Sequence, residues 1–224
     1  MTGKDLTPTQ AWQLMVEGNG RFVAGAPAHP NQNVETRHGL AGSQHPVATL
    51  FGCSDSRLAA EIIFDLGLGD LFVVRNAGQV IGESIVGSLE YAVEILQVPL
   101  IVVLAHDACG AVKAAIDGTA IDAAPLPPHI WKLIAPIIPA ARKVLAANGG
   151  STPSDIDAEQ VGREHLRNTI ETMLQSSELI SDAVAEGRLG IVGANYRLAE
   201  GTAVPVLTVG IDEVPEAASQ EGSQ

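Results

Sequence analysis

The stretch Pro99-Leu-Ile-Val-Val-Leu-Ala-His-Asp-Ala-Cys-Gly110 decides the fold class. Leu100 to Ala105 is apolar without interruption, rich in branched side chains, and of strand length. A strand with one wet face would alternate apolar and polar residues. An unbroken run marks a strand covered on both sides, as in a parallel sheet beneath two layers of helices. Pro99 opens the run and His106 ends it. Two similar runs precede it: Val47 to Phe51, which stops at Gly52–Cys53, and Leu71 to Val74, which stops at Arg75–Asn76. Between the second run and Pro99, Ile85, Leu89, Ala92, Val93 and Leu96 fall on one stripe of a helix spanning Ile81 to Leu96. Strands alternating with helices predict an α/β fold with a central, mainly parallel sheet flanked by helices.

Residues 7–24 read as an amphipathic N-terminal helical arm, with Thr7 as cap, Pro8 in the first turn, and Trp12, Met15, Val16 and Phe22 as its apolar positions. Its apolar side has two destinations, its own domain or a second subunit. Residues 26–46 read as a loop. Cys109 to Ile116 reads as a helix, 118–128 as a Pro-rich connection, and about 129–147 as one helix. After a break at Asn148 to Pro153, Ser154 or Asp155 is expected to cap another helical stretch. Leu189 to Ala194 and Val204 to Val209 read as late strands joined near Glu200–Gly201, and 211–224 as a loose acidic tail. No repeat or linker divides the 224 residues, so one domain is expected over 1–224.

The chain carries 13 Lys and Arg against 26 Asp and Glu, a net charge of −13. That balance argues against nucleic-acid and anionic-membrane partners, both of which need a basic face. No apolar run approaches the length of a membrane span, and MTGKDLTPTQ lacks the apolar stretch of a secretory signal, so a cytoplasmic location is expected. In a reducing compartment the two cysteines, Cys53 and Cys109, point to metal binding or catalysis rather than to a bridge.

Cys53 and His106 each fall just past the carboxyl end of an expected parallel strand, where open α/β sheets form their crevices. Cys109 follows His106 by three residues and opens a helix, a position that favours the thiolate. Two thiolates and an imidazole suit zinc with an exchangeable fourth position, although a buried inert cysteine pair beside a histidine has the same spacing. Asp55 and Arg57 stand immediately beside Cys53. Asp55 is placed either to be a fourth ligand or to accept a hydrogen bond from a zinc-bound hydroxide, and Arg57 to hold it in one of those orientations.

Cys53-Ser-Asp-Ser-Arg57 followed by His106-Asp-Ala-Cys109-Gly110 resembles the signature of the β-class carbonic anhydrases. Phe72-Val-Val-Arg-Asn-Ala-Gly78, Gly87-Ser-Leu-Glu-Tyr-Ala-Val93 and Gly193-Ala-Asn-Tyr196 are similar to other segments of that family, in the same order, so the resemblance spans roughly residues 8–210. It implies a β-carbonic-anhydrase-like fold and one Zn2+ per chain on Cys53, His106 and Cys109. The implied reaction is reversible hydration of carbon dioxide to bicarbonate by zinc-bound hydroxide. Asp55 and Arg57 become a catalytic dyad that orients the hydroxide or gates the fourth zinc position. Gln44, Phe72, Ala77, Tyr91 and Gly110 match substrate-binding positions, in a pocket at the interface of a homodimer or a dimer of dimers. A same-fold hydrolase of carbon disulfide or carbonyl sulfide would carry the same metal motifs. Leu50 stands where some bacterial members have a tryptophan that helps form a second, inhibitory bicarbonate site. Of the remaining histidines, His29, His38, His45, His129 and His165, most are expected to be solvated, with His45, beside Gln44, the first choice for a proton carrier.

Overall fold

A computed structural model describes residues 3–150 and 152–211. All but the first residue of the expected acidic tail lies outside them. Four strands pair in parallel: β1 (Ala48–Cys53), β2 (Leu71–Asn76), β3 (Leu100–His106) and β4 (Gly190–Arg197). A fifth, β5 (Thr202–Val209), returns antiparallel along β4, and the order across the sheet is β2-β1-β3-β4-β5. The fully buried pattern of β1 and β3 is that of strands covered on both faces.

Helix α1 (Pro8–Val23) begins with a reciprocal cap in which Gln10 N–H donates to Thr7 Oγ1 and Thr7 N–H donates to Gln10 Oε1. It lies on its own chain's sheet, with Trp12 and Met15 fully buried against the face that carries Ala48, Leu50, Leu100 and Val102. Asn19 ties it down. Its amide donates to the carbonyls of Ile63 and Gly201, and its carbonyl accepts from Ala203 N–H. Gly18 permits the approach, since a Cβ there would stand 1.9 Å from the Phe64 carbonyl oxygen.

The region 26–46 contains a short helix, α2 (Val34–Gly39), that buries no side chain and begins on the Asn33 side-chain cap. One further short turn of helix, α3 (Ala60–Ile63), connects β1 to β2. The helix expected over 81–96 starts as α4 (Glu83–Glu90) and widens into a π turn at Tyr91–Ile95. After α5 (Gly110–Asp117), the helix expected over 129–147 is split into α6 (Pro128–Ile134), a single 3-10 turn, and α7 (Ile138–Ala147). Pro136 and Pro139 lack the amide hydrogens a continuous helix would need there. Helix α8 (Ala158–Ser176) takes Asp157 as its cap, whereas Ser154 and Asp155 belong to a separate 3-10 turn. Helix α9 (Glu178–Ala185) follows on the Ser177 cap. One core lies between the sheet and α1, α5, α6 and α7; the other is closed by α4, α8 and α9. No helix among the described residues is long and apolar enough to cross a membrane.

Asp65, whose side chain is 1% exposed, anchors the start of the 26–46 region. It accepts from Arg21 Nε at 2.6 Å and from the backbone N–H groups of Ala28 and His29. Burial opposes its charge, but these donors outweigh burial and hold its pKa below the usual carboxylate value. Its stabilising contribution is therefore complete above the unfolded-state pKa and is lost as pH falls through the lower folded-state pKa. Asp65→Asn should lower stability by about 2–4 kcal/mol at pH 7. Urea titrations should show the gap from wild type narrowing as pH falls below about 4.

Candidate metal centre

Strand β1 lies between β2 and β3, so the chain leaves its carboxyl end towards one neighbour and reaches the other only after crossing back. The connections diverge there and leave a crevice between the ends of β1 and β3. Cys53 and His106 are the last residues of those two strands, two residues and one residue beyond the ends of the apolar runs. Cys53 is paired with Asn76 and His106 with Tyr196. Cys109 occupies the cap position of α5, three residues after the end of β3.

The donor atoms of Cys53, His106 and Cys109 lie within 4.8 Å of one another, and all three residues are buried. His106 is oriented by its neighbour: Nδ1 stands 2.8 Å from the Asp107 carbonyl oxygen, which can only accept, so Nδ1 carries the hydrogen. Nε2 is left bare, buried, and without a hydrogen-bond partner. A buried imidazole nitrogen that lacks a donor but faces two sulfurs has the chemistry of a metal ligand. These three residues therefore fit a thiophilic divalent ion, with the second ring nitrogen held as metal-binding histidines commonly are.

Around this set the polar groups are fully engaged. Both Asp55 carboxylate oxygens accept from Arg57, Oδ1 from Nε at 2.8 Å and Oδ2 from a terminal nitrogen at 2.7 Å, and Oδ1 also accepts the Arg57 N–H. Arg57 also reaches the Ala108 carbonyl, and Arg75 donates to the carbonyls of Cys53 and Asp55. Asp55 Oδ2 stops 3.9 Å from His106 Nε2. The Arg57 side chain holds the Asp55 carboxyl well below the usual carboxylate range. Pairing with Cys109, and the Gly78 N–H on its sulfur, bring Cys53 down to about 4 against the opposing effect of burial. The same pairing, reinforced by burial, pushes Cys109 up.

The carbonic anhydrase family model matches residues 48–203. The chain belongs to the β-class carbonic anhydrases. Among curated members of this family it is similar to carbonic anhydrase 2 of Mycobacterium tuberculosis, with 48% identity over 88% of this chain and 92% of that one. It also resembles the carbonic anhydrase of Mycolicibacterium smegmatis, with 46% identity over 87% and 91%. Among solved structures, a tetrameric β-carbonic anhydrase from Sordaria macrospora shares the fold, with a TM-score of 0.68 at 24% identity, covering 83% of this chain and 92% of that one.

The remaining positions matched to the β-class carbonic anhydrases divide into two groups. Ala77 and Gly110 adjoin the crevice: Ala77 lies between Asn76, the ladder partner of Cys53, and Gly78, and Gly110 follows Cys109. Phe72 and Tyr91 instead pack on each other, with ring centroids 6.0 Å apart. Phe72 pairs with Thr49, four residues before Cys53, which is about 13 Å along the strand. Gln44 and His45 are exposed residues just before β1, also at the far end from Cys53. His165 is buried rather than solvated. Arg75, which braces the Cys53–Asp55 backbone, could have been found from its place in the quoted Phe72–Gly78 motif. Gly78 belongs to the same motif; its N–H points at Cys53 Sγ from 3.4 Å. With φ at +83° and a Cβ that would come 2.8 Å from the Ala111 Cβ, this position requires glycine. Gly78→Ala should lower stability by about 1–3 kcal/mol, read as a lower thermal midpoint.

Proposed function

We propose that this chain is a zinc-dependent carbonic anhydrase that interconverts carbon dioxide and bicarbonate, with the ion held by Cys53, His106 and Cys109. The observation that carries this reading is the buried cluster of three donors in the sheet's crevice, with His106 Nε2 unpartnered, in a member of this family. Zinc at that position supplies a Lewis acid that lets water ionise near neutrality.

The chain's own side chains do the rest. Asp55 is held ionised by Arg57, so beside the metal donors it can only accept a hydrogen bond. With zinc bound, it would accept a hydrogen bond from a protonated oxygen species beside the metal and so orient it towards carbon dioxide. Arg57 keeps the carboxylate from swinging in as a fourth ligand. Two thiolates cancel a divalent charge that three imidazoles would leave intact, so activity should rise towards alkaline pH.

Gln44, Phe72 and Tyr91 are proposed to complete the pocket of a second copy of the chain, because their place at the far end of the strands keeps them from their own chain's metal donors. A dimer or a dimer of dimers, working in the cytoplasm, is part of the same proposal.

A carbon dioxide hydration assay across pH, with zinc quantified on the same sample, tests the proposal. About one zinc per chain and turnover rising with pH are expected. Turnover of carbonyl sulfide or carbon disulfide without carbon dioxide hydration overturns it. Arg57→Ala should retain zinc while losing about 10²-fold in turnover. Cys53→Ala and Cys109→Ala should lose the metal.

A further inference from the structure

One buried histidine lies outside the donor set, yet it is linked to the set by hydrogen bonds. His165, on the buried face of α8, is 3% exposed, and its Nε2 stands 2.7 Å from the Gly78 carbonyl oxygen. A carbonyl oxygen only accepts, so Nε2 carries the hydrogen, and Nδ1 is left buried without a partner. Four residues on, Thr169 Oγ1 stands 3.4 Å from the Gln79 carbonyl oxygen. The segment these groups grip needs gripping: Gly78 and Gln79 have φ of +83° and +41°, the second unusual for a residue with a side chain. From the other side, the Asn76 side chain brackets the segment by donating to the Val80 carbonyl and accepting from Val80 N–H. Towards the donor set, Gly78 N–H points at Cys53 Sγ from 3.4 Å.

We infer that His165 is a positioning residue for the metal centre: by holding the Gly78 carbonyl it fixes the strained 76–80 turn so that Gly78 N–H meets the Cys53 sulfur. This inference rests on the reading of Cys53, His106 and Cys109 as a metal site. A backbone N–H on a ligating sulfur withdraws electron density from it and restricts its direction, as hydrogen-bonded partners of metal ligands generally do. Burial depresses the His165 pKa, which keeps the ring neutral and suited to donate from one nitrogen only.

The test replaces zinc with Co2+ and reads the thiolate-to-cobalt charge-transfer band, together with zinc affinity by chelator competition. His165→Met and His165→Gln have similar shapes but differ in the donor. His165→Met should move the band to longer wavelength and weaken zinc binding about 10- to 100-fold. His165→Gln should restore both close to wild type. Met173→Ala, which opens a cavity on the same helix, should lower the thermal midpoint without moving the band. A His165→Met band and affinity equal to wild type, or an equal band shift in Met173→Ala, overturns the positioning role. A wild-type protein that takes up no cobalt with a charge-transfer band overturns the metal reading itself. Should His165→Met fail to fold, nitrogen-15 spectra of the wild-type imidazoles decide: Nε2 protonated supports the role, and Nδ1 protonated overturns it.

Discussion

The parallel pairing of β1 with β3, from Thr49 opposite Ile101 to Gly52 opposite Leu104, is the constraint on which the rest of the molecule depends. It brings Cys53 and His106 to one end of adjacent strands although they lie about fifty residues apart in sequence. The register is held because both faces of these strands are buried, and each large apolar side chain there contributes about 1.5–3 kcal/mol. A slip of one residue would turn His106 to the other face and carry its core neighbours with it. The start of α5 directly after β3 then delivers Cys109 with no further positioning.

The chain as a whole is strongly acidic, yet arginines surround the crevice. Arg57 and Arg75 between them bind the Asp55 carboxylate and the backbone carbonyls of Cys53, Asp55 and Ala108. These bonds join the two segments that carry the ligands, residues 53–57 and 106–109. They also place fixed positive charge where a carboxylate and two ionisable thiols would otherwise repel one another. Two fixed positive charges are thus concentrated at this site in an otherwise strongly acidic chain.

Much of this was legible in the amino-acid sequence, because buried parallel strands leave continuous apolar runs and strand ends are where polarity changes. The runs ended early for an instructive reason. The hydrogen-bonded ladder continues through Cys53, Asn76 and His106, but those residues are chosen for chemistry rather than for burial. Pro136 and Pro139 broke a helix whose apolar spacing alone reads as continuous, and the π turn at Tyr91–Ile95 has no periodic signature at all. Helix α2 was hidden because it buries nothing and depends on its cap. The grip of His165 on Gly78 joins residues 87 apart with no motif around the histidine, and only tertiary structure brings them together.

The strand order has a consequence for how the site comes into being. Because β1 must wait for β2, α4 and β3 to be made before its inner partner exists, no short segment of the chain can assemble the three donors in advance. Pairings that close such long stretches of chain are slow to form, since the loss of chain freedom precedes the gain in contacts. The crevice is thus a late product of folding. The Cys53 thiol, made well before His106 and Cys109, meets them only when β1 and β3 pair, so metal capture reports the pairing of these two strands.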